Sequence, residues 1–255
     1  MDDAVVIGFG VVGKATAKAF DIPWHFDPLD SNITLEEASK KQFIIFCTPT
    51  PTDSRGQQKG IDIIDEYIKQ LKEYGGRNIF IIRSTVLPGT TKHLAEKYDV
   101  MIGFSPEFLS DKTAEKDALH PMFVVLGADD VPTRIAMENL WKRYKIKNFV
   151  ITDTVTAEMI KYTFNTFFLM KVIFANQMYD ICQINGANYN TLKEALYSHP
   201  WGTHHHLKPI HNNGRGGGGK CFPKDIKSFA KYSNLKLFKV IEELNTEYLQ
   251  ASHKE

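Results

Sequence analysis

One cysteine, Cys221, closes the run Gly214-Arg215-Gly216-Gly217-Gly218-Gly219-Lys220 and is followed directly by Phe222-Pro223-Lys224-Asp225. Glycines without a Cβ let a backbone close tightly around a ligand. A thiol flanked by lysines, ahead of a helix that Asp225 can cap, is expected to have a lowered pKa and to react as the thiolate. A free cysteine is otherwise a small core hydrophobe. That reading suits Cys47 and Cys182, which sit in apolar strand and helix patterns, better than a residue between a glycine tetrad and Pro-Lys-Asp. The chain also opens with Gly8-Phe9-Gly10-Val11-Val12-Gly13, preceded by a strand-like run and followed by a helical one. Gly8, Gly10 and Gly13 permit the turn and the close approach of a pyrophosphate to a helix N-terminus, with Val11 and Val12 between them. Asp27 ends the next strand, where a carboxylate can bond the adenosine ribose hydroxyls and repel a 2′-phosphate, so NAD is expected over NADP. A redox cofactor and a thiol nucleophile in one chain imply oxidation through a thiol-bound intermediate.

Lys161 and Asn165 stand four apart and share a helix face. Their helix is otherwise strongly apolar, so the lysine needs a partner, and a substrate oxyanion is one candidate. Ser105-Pro106-Glu107-Phe108-Leu109 puts a carboxylate at one strand end, and Arg83-Ser84-Thr85-Val86-Leu87-Pro88-Gly89 puts hydroxyls at another. Either is compatible with ordinary turn chemistry, but both fall on the edge where open α/β sheets bind ligands. Adjacent His204, His205 and His206 cannot easily face one ion, so no metal is expected and these residues are assigned to a surface loop or a substrate rim.

The elements that must position these groups follow from periodicity. Ala4 to Ile7, Trp24 to Phe26, Gln42 to Cys47, Asn78 to Ile82, Val100 to Phe104 and Phe123 to Leu126 have strand patterns, and Val11 to Phe20, Ile61 to Tyr74 and Thr90 to Tyr98 have helical ones. This alternation predicts a Rossmann-type α/β fold with a doubly wound parallel sheet over residues 1–150. After Val150 the pattern becomes helical: Asp153 to Ile184 as one long helix capped by Thr152, Asp153 or Thr154, then Tyr189 to Tyr197 and Ile226 to Leu249, with no convincing strand. Residues 151–255 are therefore expected to form an all-helical region that carries the cysteine loop and, from the apolar excess of its long helix, a homodimer interface.

The 255 residues are 43% hydrophobic and 24% charged with a net charge of +1, which gives no electrostatic pull toward nucleic acid or an anionic membrane. Three widely spaced cysteines without a C-x-x-C pair argue against a disulfide framework and favour a cytoplasmic location. No secretory signal is visible at Met1 to Val6, and polar residues interrupt the longest apolar stretch, Phe164 to Ile184, so no membrane span is expected.

Taken in order, Gly8 to Gly13, Thr48-Pro49-Thr50-Pro51, Ser84 to Gly89, Ser105 to Leu109, Ala157-Glu158-x-x-Lys161-x-x-x-Asn165 and Gly218-Gly219-x-Cys221-Phe222-Pro223-Lys224-Asp225 resemble the UDP-glucose/GDP-mannose dehydrogenase family. Its members oxidise the C6 alcohol of a nucleotide sugar to a carboxylate with NAD. The resemblance implies that Cys221 is the nucleophile, that Lys161 and Asn165 stabilise the oxyanion, that Asp225 and Thr85 position water and that Glu107 assists proton movement. It implies NAD contacts from Asp27, Thr50, Thr85, Asp111 and Lys224. It also implies a sugar site lined by Glu107, Phe108, Leu109, Lys161, Asn165, Ile210, His211, Asn212, Asn213, Gly214 and Gly218.

Asp111 stands where the family usually has Glu, and the loop from Asp27 to Gln42 is abbreviated. Members of the family continue into a third, nucleotide-binding domain, whereas this sequence stops at Glu255, so the expectation is that this domain is lacking and that a separate chain can complete the nucleotide site. Two further readings are a single-step dehydrogenase of the β-hydroxyacid type, which also resembles this architecture, and a non-catalytic NAD-binding assembly module. Cys221 separates the first of these from the family chemistry, because one-step oxidation needs no thiol.

Overall fold

The computed structural model describes residues 1–110, 112–142, 148–211 and 214–251. The chain divides into two compact units. The first comprises residues 1–53 and 58–161, and the second residues 54–57 and 162–255.

In the first unit the strands are β1 (Ala4–Ile7), β2 (Trp24–Phe26), β3 (Phe43–Phe46), β4 (Ile79–Ile82), β5 (Met101–Phe104), β6 (Val124–Gly127) and β7 (Phe149–Thr152). They are separated by α1 (Val11–Phe20), α2 (Leu35–Ser39), α3 (Gly60–Glu73), α4 (Thr90–Tyr98), α5 (Ala114–Leu119) and α6 (Val131–Trp141). The strands form one sheet in the order β2-β1-β3-β4-β5-β6-β7. Helices pack on both faces, which is why the strands are apolar almost throughout. Val5, Ile7, Ile44, Phe46, Phe80 and Ile82 join Ile64, Ile68 and Leu71 of α3 and Leu94 of α4. The alternate residues Ala4, Val6, Phe43, Ile45, Ile79 and Ile81 pack with Ala17, Ala19 and Phe20 of α1 and Leu140 and Trp141 of α6.

Two features depart from the expected all-parallel sheet. The β5–β6 joint is antiparallel, and β7, which periodicity did not mark out, extends the sheet beside β6. Short helices were also passed over: α2 is held by a capping box between Thr34 and Glu37, and α6 by Asp130 accepting from the Thr133 amide.

A 32-residue helix, α7 (Thr154–Asn185), begins in the first unit and continues in the second. Of the three candidate caps Asp153 is the one used, accepting from the amide and hydroxyl of Thr156. The second unit adds α8 (Tyr189–Ser198), a two-residue antiparallel ladder of β8 (Ile210–His211) with β9 (Gly214–Arg215), α9 (Phe222–Ser233) and α10 (Lys236–Ala251). Among the described residues the regular structure of this unit is therefore helical except for that ladder. The run expected as helical from Ile226 to Leu249 is two helices that start earlier and break at Asn234, which adopts a left-handed conformation (φ 55°) that Asn tolerates better than most residues. Asp225 accordingly does not cap α9. It lies inside the first turn, and Cys221 holds the N-cap position without a side-chain capping bond.

Candidate functional site

In the first unit the Gly8–Gly13 turn is shaped by contact. Gly8 has φ 91°, and a Cβ there would stand 2.8 Å from the Cys47 carbonyl and the Thr48 nitrogen. A Cβ on Gly13 would stand 2.0 Å from the Gly8 oxygen, whereas one on Gly10 would meet nothing within 4 Å. Gly8 and Gly13 are thus required by the turn itself. Gly10 opens onto space at the head of α1, where the first amides of a helix lack intrahelical acceptors and Gly10 offers no capping side chain. Beside this turn Asp27 accepts from the Phe9 amide at 2.9 Å and the Leu29 amide at 3.0 Å, and these bonds hold its carboxyl below the usual carboxylate range. An open anion cradle beside an ionised carboxylate fits a dinucleotide without a 2′-phosphate. Val11 is exposed and Val12 half-buried at the start of α1.

The strand ends beyond this turn are stitched together. Ser84 donates to the Thr48 oxygen at 2.7 Å, and the buried Gln58 donates to the Thr85 oxygen at 2.8 Å. Thr50 is buried against the start of α3, where a Cβ on Gly60 would stand 2.2 Å from the Thr50 Cα. Lys161 and Glu107 are both buried. The Lys161 Nζ donates to the Glu107 main-chain oxygen at 2.6 Å and lies 3.1 Å from Oε1, while the Leu109 amide donates to Oε2 at 2.6 Å. Burial alone would raise the Glu107 pKa, but the Lys161 charge, these bonds and Arg83 outweigh it and hold the carboxyl ionised. The lysine that the sequence left in search of a partner is therefore supplied with one by the fold. Phe108 and Leu109 are half-buried, with the Phe108 ring 4.7 Å from that of Phe123 and 5.2 Å from the Lys161 Nζ.

In the second unit Cys221 is exposed at the head of α9, and its carbonyl accepts the Asp225 amide at 2.9 Å, one turn into the helix. The positive end of a helix dipole favours an anion there. Asp225 is buried. It accepts from the Asn165 Nδ2 at 2.7 Å and pairs with Lys224. His211, Gly214 and Gly218 line one cavity of about 580 Å³ together with His204, His205, His206 and Gly216–Gly219. Ile210 lines a separate, more open hollow beside Tyr179. His206 stacks on Phe168 at 4.4 Å, and burial, with Lys171 nearby, pushes its pKa down to about 4. Among the described residues no three metal-binding side chains come together. Asp111, Asn212 and Asn213 lie outside the described residues.

Sequence reasoning missed the residues that anchor the glycine run. Arg215 bonds the Asn176 side chain and main chain at 3.0 Å each and pairs with Asp180 at 2.7 Å, and Asp180 also accepts from the Tyr248 hydroxyl. The available signal was polar residues, Asn176 and Asp180, recurring four apart on an apolar helix.

Two models of the UDP-glucose/GDP-mannose dehydrogenase family match successive parts of the chain, the NAD binding domain over residues 29–145 and the central domain over residues 155–247. The chain belongs to this family. NAD is accordingly the cofactor that goes with the first unit. A UDP-glucose 6-dehydrogenase of Rickettsia conorii is 29% identical over 202 residues, which are 77% of this chain and 46% of that protein. The chain spans about half the length of the curated relatives it matches. Among solved structures, a UDP-glucose dehydrogenase from Pyrobaculum islandicum superposes with a TM-score of 0.85 at 21% identity, over 98% of this chain and 68% of that one. The 3-hydroxyisobutyrate dehydrogenase of Mycobacterium tuberculosis gives 0.74 at 12% identity, over 97% and 94%. At these identities the likeness is one of fold. Among the described residues no helix is long and apolar enough to cross a membrane.

Proposed function

We propose that this chain is the NAD-binding and cysteine-bearing part of a dehydrogenase that oxidises the C6 alcohol of a nucleotide sugar, UDP-glucose first among candidates, to the carboxylate. The observation that carries the reading is Cys221 at the head of α9, with the buried Asp225 one turn on and held by Asn165.

NAD, when bound, supplies the hydride acceptor for each of two oxidations. The alcohol loses a hydride and a proton to give the aldehyde. The Cys221 thiolate adds to the aldehyde carbon, giving a thiohemiacetal that carries the hydrogen the free aldehyde could not release as hydride. Loss of that hydride leaves a thioester, and water adds to it and expels the thiolate, giving the acid. Lys161 and Asn165 are assigned to the oxygen that becomes negative as the tetrahedral centres form. Lys161 lies 3.1 Å from the Glu107 carboxylate, and Glu107 is assigned to proton movement. Asp225 and Thr85 are assigned to the hydrolytic water. Asp27, Thr50, Thr85, Asp111 and Lys224 are assigned to NAD, and Phe108, Leu109 and Ile210–Gly214 with Gly218 to the sugar.

In this reading residues 1–150 bind NAD and residues 151–255 carry the cysteine loop and the homodimer contact, with a separate polypeptide able to complete the nucleotide site in the cytoplasm. Phe167, Phe174 and Ile181 support the dimer: each is about half exposed, and they recur every seven residues along α7.

A one-step β-hydroxyacid-type oxidation is favoured by one observation, the fold likeness that spans 94% of the 3-hydroxyisobutyrate dehydrogenase. The experiment that separates the two counts NADH formed per sugar consumed with UDP-glucose, GDP-mannose and UDP-N-acetyl sugars, products being weighed by mass spectrometry. The thiol route gives two NADH and a carboxylate, and Cys221→Ser forms no acid. One NADH with an unaffected Cys221→Ser variant would sink the thiol route.

A further inference from the structure

The glycine run that leads into Cys221 should be floppy, because four consecutive glycines lose more conformational freedom on ordering than any other residues. At Gly217 it is anchored by the side chain of Asn245. Asn245 lies one turn after the buried Ile241 on α10 and is itself 2% exposed. Its Oδ1 accepts the Gly217 amide at 2.7 Å, and its Nδ2 donates to the Gly217 oxygen at 3.2 Å. The carboxamide thus satisfies both main-chain groups of a residue that has no side chain, as a neighbouring strand would. The fit depends on glycine: a Cβ on Gly217 would stand 2.3 Å from the Leu169 Cδ1, and one on Gly216, where φ is 74°, would stand 3.0 Å from the Asn245 Oδ1. Arg215 fixes the run on one side through Asn176 and Asp180, and the head of α9 fixes Cys221 on the other.

We propose that Asn245 is a positioning residue for Cys221, whose carboxamide clamps Gly217 and so sets the path of the loop that presents the thiol. The inference rests on the reading of Cys221 as nucleophile but is tested apart from it. Only Cys221 is exposed among the cysteines, Cys47 and Cys182 being 9% and 3% exposed, so a trifluoroethylthio tag will label it selectively. Three variants of the full chain are compared: Asn245→Ala, Asn245→Asp and, as a control, Thr246→Ala, whose exposed hydroxyl donates to the Glu242 oxygen within the helix.

Removing the clamp should accelerate amide exchange over residues 216–220 at least tenfold and sharpen the fluorine line of the tag. Asn245→Asp, which keeps the acceptor and loses the donor, should fall between, and the control should match the parent. Under the proposed chemistry kcat for acid formation should fall at least tenfold in Asn245→Ala with the KM for NAD unchanged. Exchange rates and line widths in Asn245→Ala equal to those of Thr246→Ala would overturn the clamp. Should Asn245→Ala not fold, the same comparison in Asn245→Asp decides. A parent protein that makes no NADH from any sugar would refute the proposed function while the exchange and fluorine results still judge the clamp.

Discussion

The carboxylate of Glu158 shows how far a single residue can act from its place in the chain. It lies one turn before Lys161 on α7, is fully buried, and accepts from the Gly89 amide at 2.6 Å and from the amide and hydroxyl of Thr91 at 2.8 and 2.6 Å. It thereby caps α4, whose own N-cap, Gly89, has no side chain to offer. Burial nevertheless pushes its carboxyl up to about 7 from the usual 4.5, with the Asp129 charge adding to the rise and the three donors opposing it. A folded pKa above the unfolded one means that the folded state holds the proton more tightly. Its contribution to stability is therefore complete below about pH 4.5 and is lost as pH rises through about 7. A difference of this size corresponds to about 3 kcal/mol, so urea midpoints of the parent protein should decline over that window relative to Glu158→Gln, which cannot ionise. Parallel pH profiles for the two proteins would count against the assignment. Glu158 was visible in the sequence only as a motif letter, because its partners are 67 and 69 residues away and no periodicity connects them. The same holds for Lys161 and Glu107. The sequence required a partner for a lysine on an apolar helix, and only the fold could supply its identity.

At the scale of elements, sequence was most informative where one periodicity ruled a whole segment. The first five strands and the helices Val11–Phe20 and Thr90–Tyr98 lie where alternation and amphipathicity placed them, to within a residue or two at the ends. It was least informative where a single residue changes the path, as Asn234 does between α9 and α10 without interrupting the apolar pattern on either side. An alanine at that left-handed position should cost about 1 kcal/mol, while glycine should be neutral within a few tenths. Chemical denaturation of Asn234→Ala and Asn234→Gly will check the order. The β1–α1 turn allows a sharper separation, because its glycines have different reasons for being there. Gly13→Ala drives a methyl into the Gly8 carbonyl and should lower both the melting temperature and NAD binding. Gly10→Ala meets no protein atom within 4 Å, so it should leave the melting temperature unchanged and weaken NAD at least tenfold by occupying the space reserved for the pyrophosphate. Titration calorimetry beside thermal melts distinguishes them, and equal losses of stability in both variants would remove the argument for Gly10 as a cofactor contact.

For the molecule as a whole, the balance of apolar residues on α7 sets an expectation about assembly. Leu169 and Ile173 are buried in one cluster of the second unit and Ala175 and Cys182 in another, so two sides of the helix are already used for its own core. Phe167, Phe174 and Ile181 remain 49%, 50% and 49% exposed on a third side, and a seven-residue recurrence keeps them in line along the helix. Scattered surface hydrophobics need no explanation, but large ones that recur along one side of a helix are costly in water and are the usual mark of a buried interface. A two-fold pairing would bring each row against its copy, and a carboxylate at its centre would then face both the partner's apolar row and a second like charge. Phe174→Glu should therefore sediment as a monomer at concentrations where the parent protein is a dimer. Because Phe174 is not part of either core cluster, its NAD affinity should stay that of the parent. A parent protein that is itself monomeric across a wide concentration range would overturn the pairing.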